Sequence, residues 1–273
     1  PLACDNLEHG CGYKLPDGRI QPSFPMFNTR EYFLRSRAAF LEQRGNACKL
    51  VLHMTNNMII PWVGAADVAY DGEHHVIYPE MKKDFMDFWS LERLRVDFPG
   101  QWGTTVNFMH EYQGPWAAAD LYRAKRAYFA AVMLHDALPT GNHNGHARNL
   151  IAQRRDFGIG EDDVQFLAYW DETGLKAQGA DIKLAGWQRP GKLLLANFGE
   201  AQTAQVKLEL GKLGWKGASL AVSDPEQGQK LTVFGHGGAV TVTHDAPAPH
   251  LDGTTLTVPV ERHNYRLLII EKK

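Results

Sequence analysis

The chain is poor in cysteine, nearly free of net charge and without any long apolar run. Three cysteines (Cys4, Cys11 and Cys48) among 273 residues are too few for a disulfide scaffold, and their spacing fits no zinc pattern. Cys4 and Cys48 stand in apolar strand contexts and read as buried free thiols. A formal net charge of −2 gives no basic footprint for nucleic acid or anionic lipid, so no nucleic-acid partner is expected. No apolar stretch approaches the ~18 to 20 residues that span a bilayer. Also missing are a Walker-type glycine loop, a G-x-S-x-G elbow and a G-x-G-x-x-G turn after a strand. Kinase-like, serine-hydrolase and dehydrogenase chemistries therefore have no motif to rest on. No internal repeat or low-complexity segment is present. What is there is an ordinary folded composition, 44% hydrophobic and 22% charged, in a chain long enough for two domains.

The chain changes character once. Up to about residue 172, short apolar runs alternate with helix-period segments. Asn28 or Thr29 can cap a first helix, with Glu31 in its first turn and Gly45-Asn46 at its end. Strand 49–54 follows, then a helical 82–91, the apolar run 94–98 and a short strand at 106–109. Pro115 opens an Ala-rich helix toward Arg126. The run 130–134 reads as a strand ending at His135-Asp136 or as more helix, the strand being preferred, and 148–157 is helical. Alternating strands and helices imply a parallel sheet. After residue 173 the helices vanish. Eight short strands, at 181–187, 192–198, 206–210, 219–222, 231–234, 240–244, 256–260 and 265–271, describe an antiparallel sandwich or barrel. The expected organisation is α/β: residues 1–172 as the later part of a TIM-like (β/α) barrel, and 173–273 as an accessory β-sandwich. A full barrel takes ~250 residues and only about 170 precede the β-rich half. The chain is accordingly expected to be the later part of a longer protein, with a smaller open sheet as the alternative.

The most informative stretch runs from Cys48 to His75. Three aliphatic residues (Leu50 to Leu52) end at His53, a polar loop follows, and the chain arrives at Asp71-Gly72-Glu73. A buried parallel strand looks like this when it delivers side chains to the carboxyl edge of a sheet, where ligands and catalytic groups collect. Asp5 ends a similar apolar run, although an Asx turn would use it equally. Gly72 at positive φ would present Asp71 and Glu73 into one space, and close acids raise each other's pKa, as a general acid requires. The alternatives are a solvated acidic turn, a core histidine at position 53, or a metal site using His53, Asp71 and His74 or His75 that no ligand spacing specifies. Aromatic residues are dense in this half, and Trp102 and Trp62 are the first candidates for platforms on which a sugar ring stacks. Arg30, near a helix start, opposes the dipole and suggests a carboxylate partner.

The succession Asp5-Asn6, Gly12-Tyr13, Asp17-Gly18-Arg19, Arg30-Glu31, Leu52-His53-Met54-Thr55, Pro61, Asp71-Gly72-Glu73 and Gln101-Trp102-Gly103 resembles bacterial glycoside-hydrolase-like proteins grouped with the family 123 β-N-acetylgalactosaminidases. The segments 211–214 and 256–270 are similar to the β-sandwich that closes such proteins. The resemblance implies a glycosidase using two carboxylates. Glu73 would be the general acid/base, Asp71 would modulate it, and Asp5 would be the nucleophile or would orient an N-acetyl group. His53, Asp97, Trp102, Trp62, His135, Asp136 and Arg30 would line the substrate site. It implies a carbohydrate substrate, no cofactor or metal, and an extracellular or periplasmic location. In the β-N-acetylgalactosaminidases proper the two acids are adjacent, whereas here they flank a glycine. A non-catalytic carbohydrate-binding scaffold is the second expectation.

Overall fold

Residues 12–22, 26–53, 60–72, 86, 90–97, 103–109, 114–139, 148–178, 182–189, 192–199 and 202–273 are described by a computed structural model. The chain opens with a hairpin, β1 (Gly12–Lys14) and β2 (Ile20–Pro22). Next come α1 (Met26–Arg44), β3 (Val51–His53), α2 (Ile60–Val63), β4 (Val68–Asp71), α3 (Leu91–Asp97), β5 (Thr105–Phe108), α4 (Ala118–Leu134), β6 (Leu138–Pro139) and α5 (Arg148–Phe157). Strands β3 to β6 form one parallel sheet in sequential order. Each strand therefore pairs with the next strand along the chain, and the order never reverses among them.

Helix α1 is tied to the amino edge of this sheet by a two-pronged ion pair. Arg37 Nη1 donates to Asp67 Oδ2 at 2.8 Å and Nη2 to Oδ1 at 3.2 Å. Asp67 also accepts the Leu50 N–H at 2.8 Å, so one carboxylate fixes helix and strand together. The hydrogen bond from Arg37, followed by that from Leu50, holds the Asp67 carboxyl below its ordinary pKa. Residues 94–97 of the apolar run at 94–98 belong to helix α3, and Phe98 lies outside the described residues. Ser90 Oγ accepts the Arg93 N–H at 3.1 Å, Glu92 sits in the first turn, and Leu91 and Leu94 are buried three apart on one face.

The β-rich half adds β7 (Gln165–Leu167), β8 (Leu175–Gln178), β9 (Ile182–Arg189), β10 (Lys192–Gly199), β11 (Gln202–Leu208), β12 (Leu220–Ser223), β13 (Lys230–Gly235), β14 (Gly238–Thr243), β15 (His250–Asp252), β16 (Thr255–Val260) and β17 (Asn264–Lys272). All eight expected strands are present in outline. Two antiparallel sheets, ordered β12-β17-β10-β9-β7 and β15-β16-β11-β8, face each other. Leu184, Val206, Leu208, Leu256, Val258, Leu268 and Ile270 fill the space between them. β13 and β14 make a separate hairpin.

The expected strand at 130–134 is the second half of helix α4, and burial explains the difference. Every residue from Ala124 to Leu134 is buried. One side of α4 packs on Val106 and Phe108 of the parallel sheet, and another on Ala185, Trp187, Tyr265 and Leu267 of the five-stranded sheet. A helix covered on all sides loses the polar stripe that betrays a 3.6-residue period. The Tyr128 hydroxyl donates to the Phe108 carbonyl, which fixes α4 against β5.

Candidate functional site

The pleat sorts the parallel sheet into two faces. Leu52, Ala69, Asp71, Val106 and Phe108 alternate onto the face covered by helices and are buried. Val51, His53, Tyr70, Thr105, Asn107 and Leu138 take the other face, where Val51 is 45% and Leu138 37% exposed. At the carboxyl edge of that open face, His53, Tyr70 and Asn107 stand in register on neighbouring strands. Parallel neighbours lie ~4.8 Å apart, so the three side chains form one row. The His53 and Tyr70 rings meet edge-on at 6.4 Å. An imidazole, a phenol and an amide side by side can donate to and accept from several hydroxyl groups, and the phenol ring adds an apolar face. Tyr70 is one of the aromatic residues dense in this half, ranked behind Trp102 and Trp62, and Asn107 stands in no motif; strand register is what sets both beside His53.

Asp71 ends β4 one residue past Tyr70 and is 5% exposed. Its Oδ1 accepts the Gly72 N–H at 2.8 Å, and its backbone carbonyl accepts the Met109 N–H at 2.6 Å. Gly72 has φ +103, the positive value expected for a turn leading out of the strand toward Glu73. A Cβ at Gly72 would lie 2.5 Å from the Phe108 ring and 2.8 Å from the Met109 carbonyl. The strand exit is thus fixed by a carboxylate, a glycine and an aromatic wall. Asp71 lies on the covered face, away from His53 and Tyr70, which makes it a positioning acid for the turn.

Glu73, Asp5 and Trp102 lie outside the described residues, as do His74 and His75 of the metal reading. Among the described residues no group of three His, Cys, Asp or Glu side chains could hold a metal ion. Asp97 closes helix α3. Arg30 is exposed on α1, which begins at Met26 and so places Arg30 further into the helix than expected. Trp62 is buried, donates from Nε1 to the Met26 carbonyl at 3.0 Å and packs edge-on against Phe33. Its ring is a clamp between α1 and α2, with no face left for a ligand.

His135 and Asp136 sit at the opposite, amino edge of the sheet. They border a cleft of about 430 Å³ with Gly103 to Val106, Arg95, Phe166 and Trp170. Asp136 adopts φ +51, the left-handed stop that ends α4. Its Oδ1 accepts from Trp187 Nε1 at 2.9 Å and from Arg154 at 3.4 Å. His135 is buried, with Nδ1 2.7 Å from the Ala131 carbonyl and Nε2 3.3 Å from that of Leu91. Both contacts are those of a core histidine. Burial pulls its pKa down to about 4, against the two carbonyl contacts. The folded pKa lies below the unfolded ~6.5, so protons bind preferentially to the unfolded chain. Stability is complete above pH 6.5 and is lost as pH falls from there toward 4, by about 3 kcal/mol in all. Urea titrations of wild type and His135→Gln between pH 7 and pH 4 measure this. The variant should lose that part of the slope, and parallel slopes would refute the assignment.

No protein-family model and no curated protein matches the chain. Among solved structures, it is similar to a noncanonic maltogenic α-amylase from Thermotoga neapolitana at 10% identity and TM-score 0.49, covering 94% of this chain and 71% of that one. It is also similar to a GH30 endoxylanase from Clostridium papyrosolvens at 6% identity and TM-score 0.44, covering 96% and 76%. Likenesses at these scores carry no argument about the chain. No described helix is long and apolar enough to cross a membrane.

Proposed function

We propose that the chain is a carbohydrate-active protein of the glycoside hydrolase class, related to the family 123-like proteins, which cleaves a glycosidic bond with two carboxylates at the carboxyl edge of the parallel sheet. The observation that carries this reading is the edge itself. A sequentially wound parallel sheet sets His53, Tyr70 and Asn107 in one row on its open face, and β4, which carries Tyr70, leaves the sheet through Gly72 at positive φ, the residue before Glu73 in the sequence. In this reading residues 1–172 form a (β/α)-barrel-like unit and 173–273 an accessory sandwich.

The row of polar side chains takes the sugar hydroxyls, with Tyr70 beneath the ring. Asp71 holds the Gly72 amide and so aims Glu73. Glu73, as general acid, protonates the leaving oxygen. Asp5 attacks the anomeric carbon as the leaving group departs, and water deprotonated by Glu73 then hydrolyses the glycosyl-enzyme; with an N-acetylated sugar Asp5 instead orients that group for the attack. Carboxyl separations of ~5 to 5.5 Å retain and of ~6.5 to 9.5 Å invert the anomeric configuration.

Glu73→Gln keeps the size and hydrogen bonding of the side chain but removes the transferable proton. It should lower kcat on a panel of aryl glycosides by at least ~10²-fold and leave sugar binding intact. Hydrolysis at the wild-type rate would remove Glu73 from the mechanism. The exposed Val51 and Leu138 on the open face favour a second reading, a sheet that keeps sugar contacts without catalysis. Binding with no turnover by the unaltered protein would establish it.

A further inference from the structure

Where helix α4 crosses the end of the sandwich, it encloses a polar cleft of about 400 Å³, within the ~300 to 1,000 Å³ of small-molecule sites. It lies apart from the parallel sheet's carboxyl edge and uses none of that edge's residues. Its floor holds two buried guanidinium groups. Arg126 makes a forked pair with Glu226, Nη1 to Oε1 at 3.2 Å and Nη2 to Oε2 at 3.0 Å, and gives its other N–H groups to Tyr122 Oη, the Tyr265 carbonyl and Asn264 Oδ1. Arg266 pairs with Asp224 through Nε at 3.1 Å and Nη2 at 2.6 Å, and donates further to the Pro247 and Pro259 carbonyls. The Arg266 and Asp224 side chains are 3% and 2% exposed. The floor is rigid, and its cations are spent.

We infer that this cleft binds a neutral polyhydroxylated ligand, a short saccharide, at a site separate from the proposed catalytic edge. Three observations select that chemistry. Arg126 and Arg266 are neutralised by Glu226 and Asp224, and the rim adds Arg123 against Asp245 and Glu261, so one exposed negative charge is left over and the cleft holds no cationic field to draw in an anion. Either sign of ligand charge would meet a like charge at the rim, Arg123 or Asp245. The rim groups with unused capacity are those that pair with vicinal hydroxyls. Arg123, Thr243 and Asp245 make no side-chain hydrogen bond or ion pair among the described residues, and Glu261 commits only Oε2, to Asn264 at 2.9 Å. Finally, Tyr122 lines the cleft with an aromatic ring to which the CH face of a sugar can pack.

This inference shares with the proposed function the premise that the ligand is a carbohydrate, and it rests on different residues. Calorimetric titration of the full chain with maltotriose, xylotriose and N-acetylgalactosamine, with inorganic phosphate as the anionic probe, tests it. At least one of the sugars should bind. The double variant Asp245→Ala, Glu261→Ala, altering two exposed rim residues, should weaken that binding at least tenfold while aryl-glycoside hydrolysis and thermal midpoint stay unchanged. Wild-type sugar affinity in the double variant, no binding of any of the three sugars, or a preference for phosphate overturns the inference. Loss of hydrolysis on Glu73→Gln bears on the catalytic edge alone, so the two proposals fail separately.

Discussion

Replacing Arg126 with methionine is expected to lower the unfolding free energy by about 3 to 5 kcal/mol. The cost does not come from the attraction lost, since burying two charges offsets most of that gain. It comes from Glu226, whose side chain is 1% exposed and would be left as an uncompensated buried carboxylate. Stacking adds to the effect, because the Arg126 guanidinium carbon lies 3.9 Å from the Tyr265 ring centroid. Chemical denaturation of Arg126→Met, Glu226→Gln and the double variant forms a cycle. The double variant should recover much of the loss of Arg126→Met, because no unpaired charge remains. A loss below ~1 kcal/mol for Arg126→Met would mean that water reaches the pair and that the cleft floor is softer than described.

Gly72→Ala should cost roughly 2 to 6 kcal/mol, from a disallowed backbone angle and from overpacking, each worth ~1 to 3 kcal/mol. Both follow from φ +103 and a Cβ position 2.5 Å from the Phe108 ring. Gly103→Ala is the control: it also has positive φ, at +78, yet nothing lies within 4 Å of its Cβ. It should lose only ~1 to 2 kcal/mol. If the two substitutions cost the same, the Phe108 wall does not constrain the strand exit. Under the proposed function, a Gly72→Ala chain that folds with a small loss should still hydrolyse more slowly, because the turn proposed to aim Glu73 will have moved.

The parts of this fold that were legible in the sequence are those with local punctuation. Helix α5 was placed at its observed bounds by its polar and apolar spacing, and the sandwich strands by the glycines, prolines and aspartates between them. The concealed parts are those decided by distant contacts. The 130–134 run reads as a strand because α4 is covered on every side, and α3 hid behind an apolar run whose cap, Ser90, carries little weight alone. At the site, sequence located the strand end at His53 and the positive-φ turn at Gly72. It could not tell that His135, after a helix running back across the sheet, arrives at the other edge. Nor could it assign Trp62 to a clamp, since a tryptophan's partners are invisible until α1 and α2 meet. The polar cleft joins residues from Tyr122 to Arg266, a separation no local pattern spans.

From Ala124 to Leu134 helix α4 has no solvent side, and this bears on how the molecule comes apart. The parallel sheet and the sandwich each supply part of the wall around the same eleven residues, Ala124 to Leu134. Releasing either wall bares the nine apolar residues of this stretch to water and strips the cover from Lys125 and Arg126. Heating should accordingly melt both sheets in one transition with a single calorimetric peak. Severing the chain between α5 and β8 should yield fragments that precipitate instead of two soluble pieces.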